Sequence, residues 1–584
     1  MLSTKRNKHG ISICVLVLWC ALAALVHARV EAPGGLSTGD AIASELEQTL
    51  QSLTRVSGDG PVNLAALLTF YQGRDYRPVW CSADGLSSEA QRWLSVLGRV
   101  EQEGMSGLLM QRAEIRQRLD AAGPMELAEL DLMLSDSFFQ YVRKLGRGQL
   151  DSALADPDWH IPQPEIKPLV LLERVARSGQ IEDAAAALLP THPAYRKLRD
   201  ALARYLLIQR SGGWPVLQPG GRTLEPGDSS EDIQRLRRQL WLAGDLAQVD
   251  ALGQVYDAAL ERAVMRFQQR HGLLGDGVIG KRTRAALAVS VDQRIEQIRL
   301  NLERWRWLPR DLGPRYISVN SAAFELQVHD QGTVPLSMRV IVGKTRHPTP
   351  VFMEKMRYLI VNPYWHVPTR VAVRDLIPKQ LSDPGFFQSR SIRVLSGWQS
   401  DAVEVDPDQV EWQAYLGGRY LPYKLRQDPG PANALGRIKF MLPNRFSIYL
   451  HDTPGRRLFN KPVRTFSAGC VRVEKPMALA NYVLGLQQPS AQARLETLIS
   501  QEEKQIIPLP DPIPVYLLYH TAWVAEGETL QFRDDIYGHD RRLAEALRRE
   551  VAPQRGNRGA QNLPVKASLG LLHVLSWFSE YLTL

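Results

Sequence analysis

The stretch Ile448–Val473, "IYLHDTPGRRLFNKPVRTFSAGCVRV", holds a histidine, a gap of eighteen residues and then a cysteine among small residues. In "FSIYLHD", Ile448 and Leu450 fall on one face of an extended chain, and Ser447, Tyr449 and His451 fall on the other. That alternation predicts a strand with one side in a core and the other lining a cleft. Further on, Ser467, Ala468 and Gly469 permit a sharp turn and a close backbone approach just before Cys470. Amides in such a turn can converge on an oxygen, and Arg472 brings positive charge near the sulfur, which favours thiolate. A lone histidine on a strand is more often structural than chemical, and so is a lone cysteine in a glycine-containing turn. The two become nucleophile and base only if the fold makes them adjacent.

The period-two pattern extends outward from this stretch. "RYISVNSAAFELQVHD", "SMRVIVGK", "MRYLIVNPYW", "RIKFMLP", "RFSIYLHD" and "IPVYLLYHTAWV" all read as strands, with a helix near "PMALANYVLGL". Residues 315–540 are therefore expected to form one mainly β domain. Between about 371 and 433 helical and Pro/Gly-rich pieces interrupt the pattern and look inserted.

Upstream, residues 40–212 carry apolar residues at three- and four-residue spacing, as in "ELAELDLMLSDSFFQYVRKLGRG", and predict a helical scaffold. The segment "SGGWPVLQPGGRTLEPGDSS" marks a boundary. Residues 228–291 read as a small helical module. Asp257 is its expected N-cap, Leu260, Val264 and Phe267 share one helix face, and His271-Gly272 forms the stop. A linker helix is expected over 292–314, and residues 541–584 form a basic and apolar C-terminal extension. The last piece, "SLGLLHVLSWFSEYLTL", reads equally as a membrane-associating helix, a packing helix or an incidental extension. The expected fold class is multidomain α+β: helical scaffold, small helical module, and a mainly β domain with an inserted subdomain.

A chain of 584 residues is too long for one core, and its 44% apolar and 23% charged content is that of an ordinary globular protein. The net charge of +9 is spread along the chain, with no Lys/Arg block interleaved with aromatics, so nucleic acid is not an expected partner. Lys5, Arg6 and Lys8 precede the apolar run "ISICVLVLWCALAALV", and "VHA" ends at Ala28, the layout of an export signal over residues 1–28. An uncleaved membrane anchor is the alternative. Either way the remainder is expected outside the cytoplasm. Of four cysteines, Cys14 and Cys20 lie in that segment, which leaves Cys81 and Cys470 in an oxidising compartment. A disulfide between them is the structural reading, and a catalytic thiol is the chemical one.

At "YLHDTP…FSAGCVRV" the chain resembles the L,D-transpeptidase (YkuD-like) catalytic domain, and "VGKTRHPTPVF" and "VNPYWHVP" resemble further segments of that domain. "AVMRFQQRHGLLGDGVIGKRTRAAL" resembles peptidoglycan-binding repeats. The layout is similar to the large YcbB-like Gram-negative members, which carry a helical scaffold, a peptidoglycan-binding module and a lid inserted in the catalytic domain.

The resemblance implies a periplasmic enzyme that cross-links peptidoglycan stem peptides, a carbapenem target that needs no cofactor. In that reading Cys470 is the nucleophile and His451 the base. Gly469, Tyr449 and the carbonyl of Asp452 hold the oxyanion or orient the histidine, and Arg472, Ser467 and Trp365 contact substrate. Implied partners are a donor tetrapeptide and an acceptor stem, with cell-wall synthesis enzymes and, through the N-terminus, the inner membrane as further candidates. No metal is implied, since the twelve histidines include no H-E-x-x-H or comparable cluster. One departure stands out: the family's commonest form has His where this chain has Ala468. Two other functions fit the same residues. One is an L,D-carboxypeptidase or endopeptidase with water as acceptor. The other is a non-catalytic wall-binding scaffold, which predicts loss of the Cys or the His, and both are present.

Overall fold

The structure is a computed structural model that describes residues 37–56, 62–105, 107–120, 123–218, 220–248, 253–525 and 527–551. The expected signal or anchor over 1–28 and the C-terminal segment beyond 551 lie outside the described residues. Among those described, no helix is long and apolar enough to cross a membrane. The chain divides into two compact units. The first comprises residues up to Leu150, Glu165–Leu189 and residues from Ala544, and the second comprises Asp151–Pro164 and Pro190–Leu543.

The first unit is helical, built around the long helix Pro124–Arg147. Its core gathers Ile42, Leu46, Tyr71, Trp80, Trp93, Phe138 and Val142. One charged residue of that helix is wholly buried: Asp131 accepts the backbone amides of Val79 (3.0 Å), Trp80 (2.7 Å) and Cys81 (2.9 Å) and the hydroxyl of Tyr71 (2.5 Å). The segment "YQGRDYRPVW" is thus folded round a single carboxylate. Burial raises the pKa of Asp131, while these donors pull it the other way. Trp80 and Trp93 donate their indole N–H groups to Ser135 and Ser137, each at 2.8 Å, so both buried indoles are paired. Cys81 and Cys470 are both free thiols.

The second unit begins its helical module with Glu231–Leu242, Ala258–Arg270 and Lys281–Leu287. Asp257 caps the middle helix by accepting the Leu260 amide at 2.8 Å. Leu260, Val264 and Phe267 are buried on its inner face, and Gly272 closes it in the left-handed region at φ +67°. The following helix, Val291–Arg306, starts in a capping box formed by Ser290 and Gln293. It is bound to the rest of the unit through Asn301, which donates to the Thr521 hydroxyl (2.8 Å) and accepts the Thr521 amide (2.9 Å).

The main sheet of the β domain has nine strands: β1 Arg315–Asn320, β2 Glu325–Asp330, β3 Thr333–Gly343, β4 Phe352–Val361, β5 Ile438–Met441, β6 Leu450–His451, β7 Thr465–Ser467, β8 Val471–Val473 and β9 Gln505–Leu518. Their order is β7-β3-β8-β6-β5-β4-β9-β1-β2, and because β2 also pairs with β3 the sheet closes on itself. Alternation supplies the core from Ile317, Val319, Leu326, Val340, Leu359, Phe440 and Leu450.

Three details differ from the sequence expectation. "RFSIYLHD" forms a ladder only at Leu450–His451. Before it, the Asn444 carboxamide accepts the amides of Phe446 (3.0 Å) and Ile448 (3.2 Å), and Ser447 sits at φ +56°, so a side-chain-closed turn replaces the strand. The inserted region is also more than helix and loop. Trp365–His366, Ile392–Leu395, Glu404–Val405 and Lys424–Gln427 form their own four-stranded sheet over a core of Ile377, Phe387, Val394 and Trp412. Strands of two to four residues are too short to print a period-two signature. At the C-terminal end, the helix His539–Val551 runs across the boundary expected at 540.

Replacing Asp131 by Ala leaves three amides and a hydroxyl of the first unit without their acceptor. The expected cost is about 3 kcal/mol of local stability, read as faster amide hydrogen exchange at Val79, Trp80 and Cys81 and a lower melting temperature. Unchanged exchange at those amides would show that the carboxylate does not hold this segment.

Candidate active site

β6 lies between β5 and β8. It is antiparallel to β5, with Lys439 opposite His451, and parallel to β8, with Leu450 beside Val471 and His451 beside Arg472. Residues in register share a face, so Leu450 and Val471 both enter the core, where each is fully buried. The opposite face carries Tyr449, His451, Lys439, Arg472 and Cys470. The Val471 amide donates to the Tyr449 carbonyl at 3.1 Å, which extends the parallel pairing back to Cys470 and makes His451 its diagonal neighbour.

The Nδ1 of His451 lies 2.5 Å from the Asp452 carbonyl oxygen. A carbonyl can only accept, so Nδ1 carries the proton and Nε2 keeps its lone pair. The Asp452 residue is itself held: its carboxylate accepts the Thr453 amide (2.6 Å), the Arg437 amide (2.8 Å) and Arg456 (2.6 Å). Gly436 leaves room for it, since a Cβ there would stand 2.3 Å from the Asp452 carboxylate, and its φ of +64° suits glycine. Burial, then the charge of Arg472, pushes His451 down to about 3, so the ring is neutral at physiological pH.

Cys470 is half-buried, its Sγ 3.7 Å from the Ser447 carbonyl. Burial raises the thiol pKa, while Tyr449, Lys439 and Arg472 act in the opposite sense. The turn before it is fastened from two sides. The Gly469 amide donates to Ser467 Oγ (3.1 Å), which donates to the Cys470 carbonyl (2.5 Å). The Thr349 hydroxyl donates to the Gly469 carbonyl (2.7 Å) and accepts the Gly343 amide (3.0 Å). Gly469 has φ +122°, and a Cβ there would meet Ile448 Cδ1 at 3.0 Å.

His451, Tyr449, Asp452, Arg472 and Cys470 are therefore brought together. Ser467 spends its hydroxyl on the turn, and the Gly469 amide is taken by that hydroxyl. The Cys470 amide, with no backbone partner among the described residues, and the Tyr449 hydroxyl remain as donors beside the sulfur. Burial and Cys470 raise the Tyr449 pKa, so this hydroxyl keeps its proton. Trp365 packs against the core of the insertion.

Lys439 was not singled out in the sequence. Its Nζ lies 3.7 Å over the Tyr449 ring, and burial lowers its pKa while Cys470 raises it. The alternation of "RIKFMLP" does put Lys439 opposite the buried Ile438 and Phe440, but only the strand pairing puts it beside His451. Asp156, Asp158 and His539 form the group among the described residues that could hold a metal. Arg542 donates to both carboxylates at 3.0 Å, so their charge is answered within the chain.

A depressed histidine pKa has a sign for stability. The unfolded ring takes a proton near about 6.5, whereas the folded ring does so only at about 3. His451 neutrality therefore costs nothing above pH 6.5 and destabilises the fold progressively as pH falls from there toward 3. Denaturation at pH 7 and pH 4 should show the parent losing more stability than His451→Gln, and equal losses would refute the buried neutral ring.

Residues 314–507 match the family model of the L,D-transpeptidase catalytic domain, YkuD. Residues 229–287 match the "Putative peptidoglycan binding domain", and residues 65–202 match the "Scaffold domain". A "Putative L,D-transpeptidase" of Haemophilus influenzae is 36% identical over 248 residues, which cover 42% of this chain and 49% of that protein. The chain thus spans about half the length of this curated relative. An L,D-transpeptidase from Xylanimonas cellulosilytica is 14% identical over 52% of this chain and 100% of its own, with a TM-score of 0.14. The Ldtfm-avibactam carbamoyl enzyme is 11% identical over 40% of this chain and 64% of its own, with a TM-score of 0.16. On the sequence match of residues 314–507, the β domain that holds His451 and Cys470 belongs to the L,D-transpeptidase catalytic-domain family.

Proposed function

We propose that the chain is an exported cysteine L,D-transpeptidase that cross-links peptidoglycan stem peptides, working in the periplasm. The observation that carries this reading is the placement of His451 on β6 and of Cys470 immediately before the neighbouring parallel strand β8, on one face, with His451 Nδ1 engaged by the Asp452 carbonyl so that Nε2 keeps its lone pair. The match of residues 229–287 to a peptidoglycan-binding domain supports the substrate class, because such a module raises the local concentration of wall.

In the first half-reaction His451 Nε2 takes the thiol proton as Cys470 Sγ bonds to the carbonyl carbon of the diaminopimelate–D-Ala amide. The Cys470 amide and Tyr449 hydroxyl hold the oxygen on which charge develops. When the C–N bond breaks, the imidazolium returns the proton to the leaving D-Ala amine, and a thioester remains. An amine of a second stem then bonds to the thioester carbon and passes a proton to His451. The C–S bond breaks, and the proton goes back to sulfur. The product joins two diaminopimelate residues. Arg472 suits a donor carboxylate, since its Nε is buried without a hydrogen-bond partner. Because burial pushes the histidine down and the thiol up, the resting pair is neutral, and the proton moves only as the new bond forms.

Cys470→Ala should abolish both the covalent carbapenem adduct, seen by mass spectrometry, and new diaminopimelate–diaminopimelate dimers in muropeptide profiles. His451→Gln should slow adduct formation by about 100-fold or more. An adduct that persists on Cys470→Ala would refute the nucleophile, and tripeptides without dimers would point to water as the acceptor.

A further inference from the structure

The loop 344–350 joins β3 to β4 and is bonded to the nucleophile's turn. The Lys344 amide donates to the Ser467 carbonyl at 3.0 Å, and Thr349 donates to the Gly469 carbonyl at 2.7 Å. Its course is forced: the His347 amide donates to the Lys344 carbonyl at 2.7 Å, and a Cβ on Gly343 would stand 2.1 Å from the His347 carbonyl oxygen. The root of the insertion meets this loop. There the chain makes a helical turn, Thr369–Val371, and then a π-helix, Ala372–Leu376, a rare form that recurs at functional sites. From that π-helix Arg374 reaches His347 Nε2 at 2.8 Å.

The result is a basic lip on the loop bonded to the Cys470 turn. The charges of Arg370, Arg374, Arg346 and Lys344 all act on the His347 ring, and the acid that faces them is Asp375, already paired with Arg374 at 2.5 Å. Lys344, Arg346 and Arg370 form no ion pair among the described residues, and Arg346 and Arg370 are exposed. With Asp375 the one acid facing them and already paired, the clustered like charge costs stability, and an anionic ligand relieves that cost. In the sheet order this lip extends from the end of β3, on the opposite side of β8 from β6 and His451. The cleft therefore has two charged walls, Arg472 with Lys439 on one side and the lip on the other.

We propose that Lys344, Arg346 and Arg370 form the subsite for the acceptor stem, binding the carboxylate that diaminopimelate carries on the same carbon as its attacking amine. This rests on the transpeptidase reading and adds the acceptor's recognition to it. Guanidinium pairing fixes that carboxylate in direction as well as place, which brings the adjoining amine to the thioester. The carboxylate makes no bond in the reaction and leaves unchanged with the product.

The test uses the full chain and two acceptors, a diaminopimelate-containing tripeptide and the same peptide with that carboxylate as a carboxamide. Arg346→Glu/Arg370→Glu should raise the KM for the carboxylate acceptor about tenfold or more. It should change kcat by less than about threefold and leave the KM of the carboxamide acceptor nearly unmoved. Added salt should weaken the parent's use of the carboxylate acceptor and have little effect in the variant. Equilibrium binding to Cys470→Ala protein supplies a second arm that needs no turnover. There the double substitution should weaken the carboxylate peptide about tenfold and spare the carboxamide. Equal shifts for both peptides, or no shift in either, overturn the subsite. Transfer by Cys470→Ala would instead overturn the nucleophile, and the binding arm would still decide the lip.

Discussion

The hydrogen bond from His451 Nδ1 to the Asp452 carbonyl is the constraint on which the rest of the site depends. It selects the tautomer that leaves Nε2 as an acceptor, and it holds the ring in a strand only two residues long. A bond to a carbonyl one residue on needs a bent backbone, and the protein secures that bend by other means. The Asp452 carboxylate is gripped by two amides and Arg456, and the space it fills exists because residue 436 is glycine. The ring is oriented by a neutral oxygen, and burial with the charges of Arg472 and Lys439 outweighs what the backbone carbonyls of Asp452 and Leu435 offer an imidazolium.

That electrostatic setting defines the character of the pair. A thiol whose ionisation is opposed by burial, beside an imidazole kept neutral by burial and nearby cations, rests uncharged. In the proposed reaction, positive charge from Lys439 and Arg472 is in place as the sulfur and then the substrate oxygen become negative. This is preorganisation toward the transition state rather than toward a resting thiolate. The turn that presents the sulfur is correspondingly rigid, with Ser467 and Thr349 between them satisfying both carbonyls and one amide of Gly469–Cys470. The same Thr349 anchors the loop that carries the basic lip, so the Cys470 turn and the lip share one support.

Much of this was legible in the residues. Alternation in "FSIYLHD" and the small residues of "SAGC" pointed to His451 and Cys470, and Asp257, Leu260, Val264 and Phe267 marked the module's middle helix through capping and spacing that are local in sequence. The strand is shorter near Ser447 than its alternation suggests because an asparagine side chain, Asn444, outcompetes the ladder there. The sheet of the insertion was missed because its strands are too short to show a period.

The sequence by itself determined the kinds of chemistry present: a cysteine in a glycine turn, a histidine on a half-buried strand, and a chain long enough for several cores. Those are properties of residue type and near-neighbour spacing, which survive without coordinates. Only the tertiary structure decided which groups meet. Lys439 stands beside His451 through strand pairing, Ser467 turns out to brace the loop, and Arg346 and Arg370 converge on His347 from segments more than twenty residues apart. Pairing register and loop closure join residues distant in the chain, and no pattern along a single sequence encodes those distances.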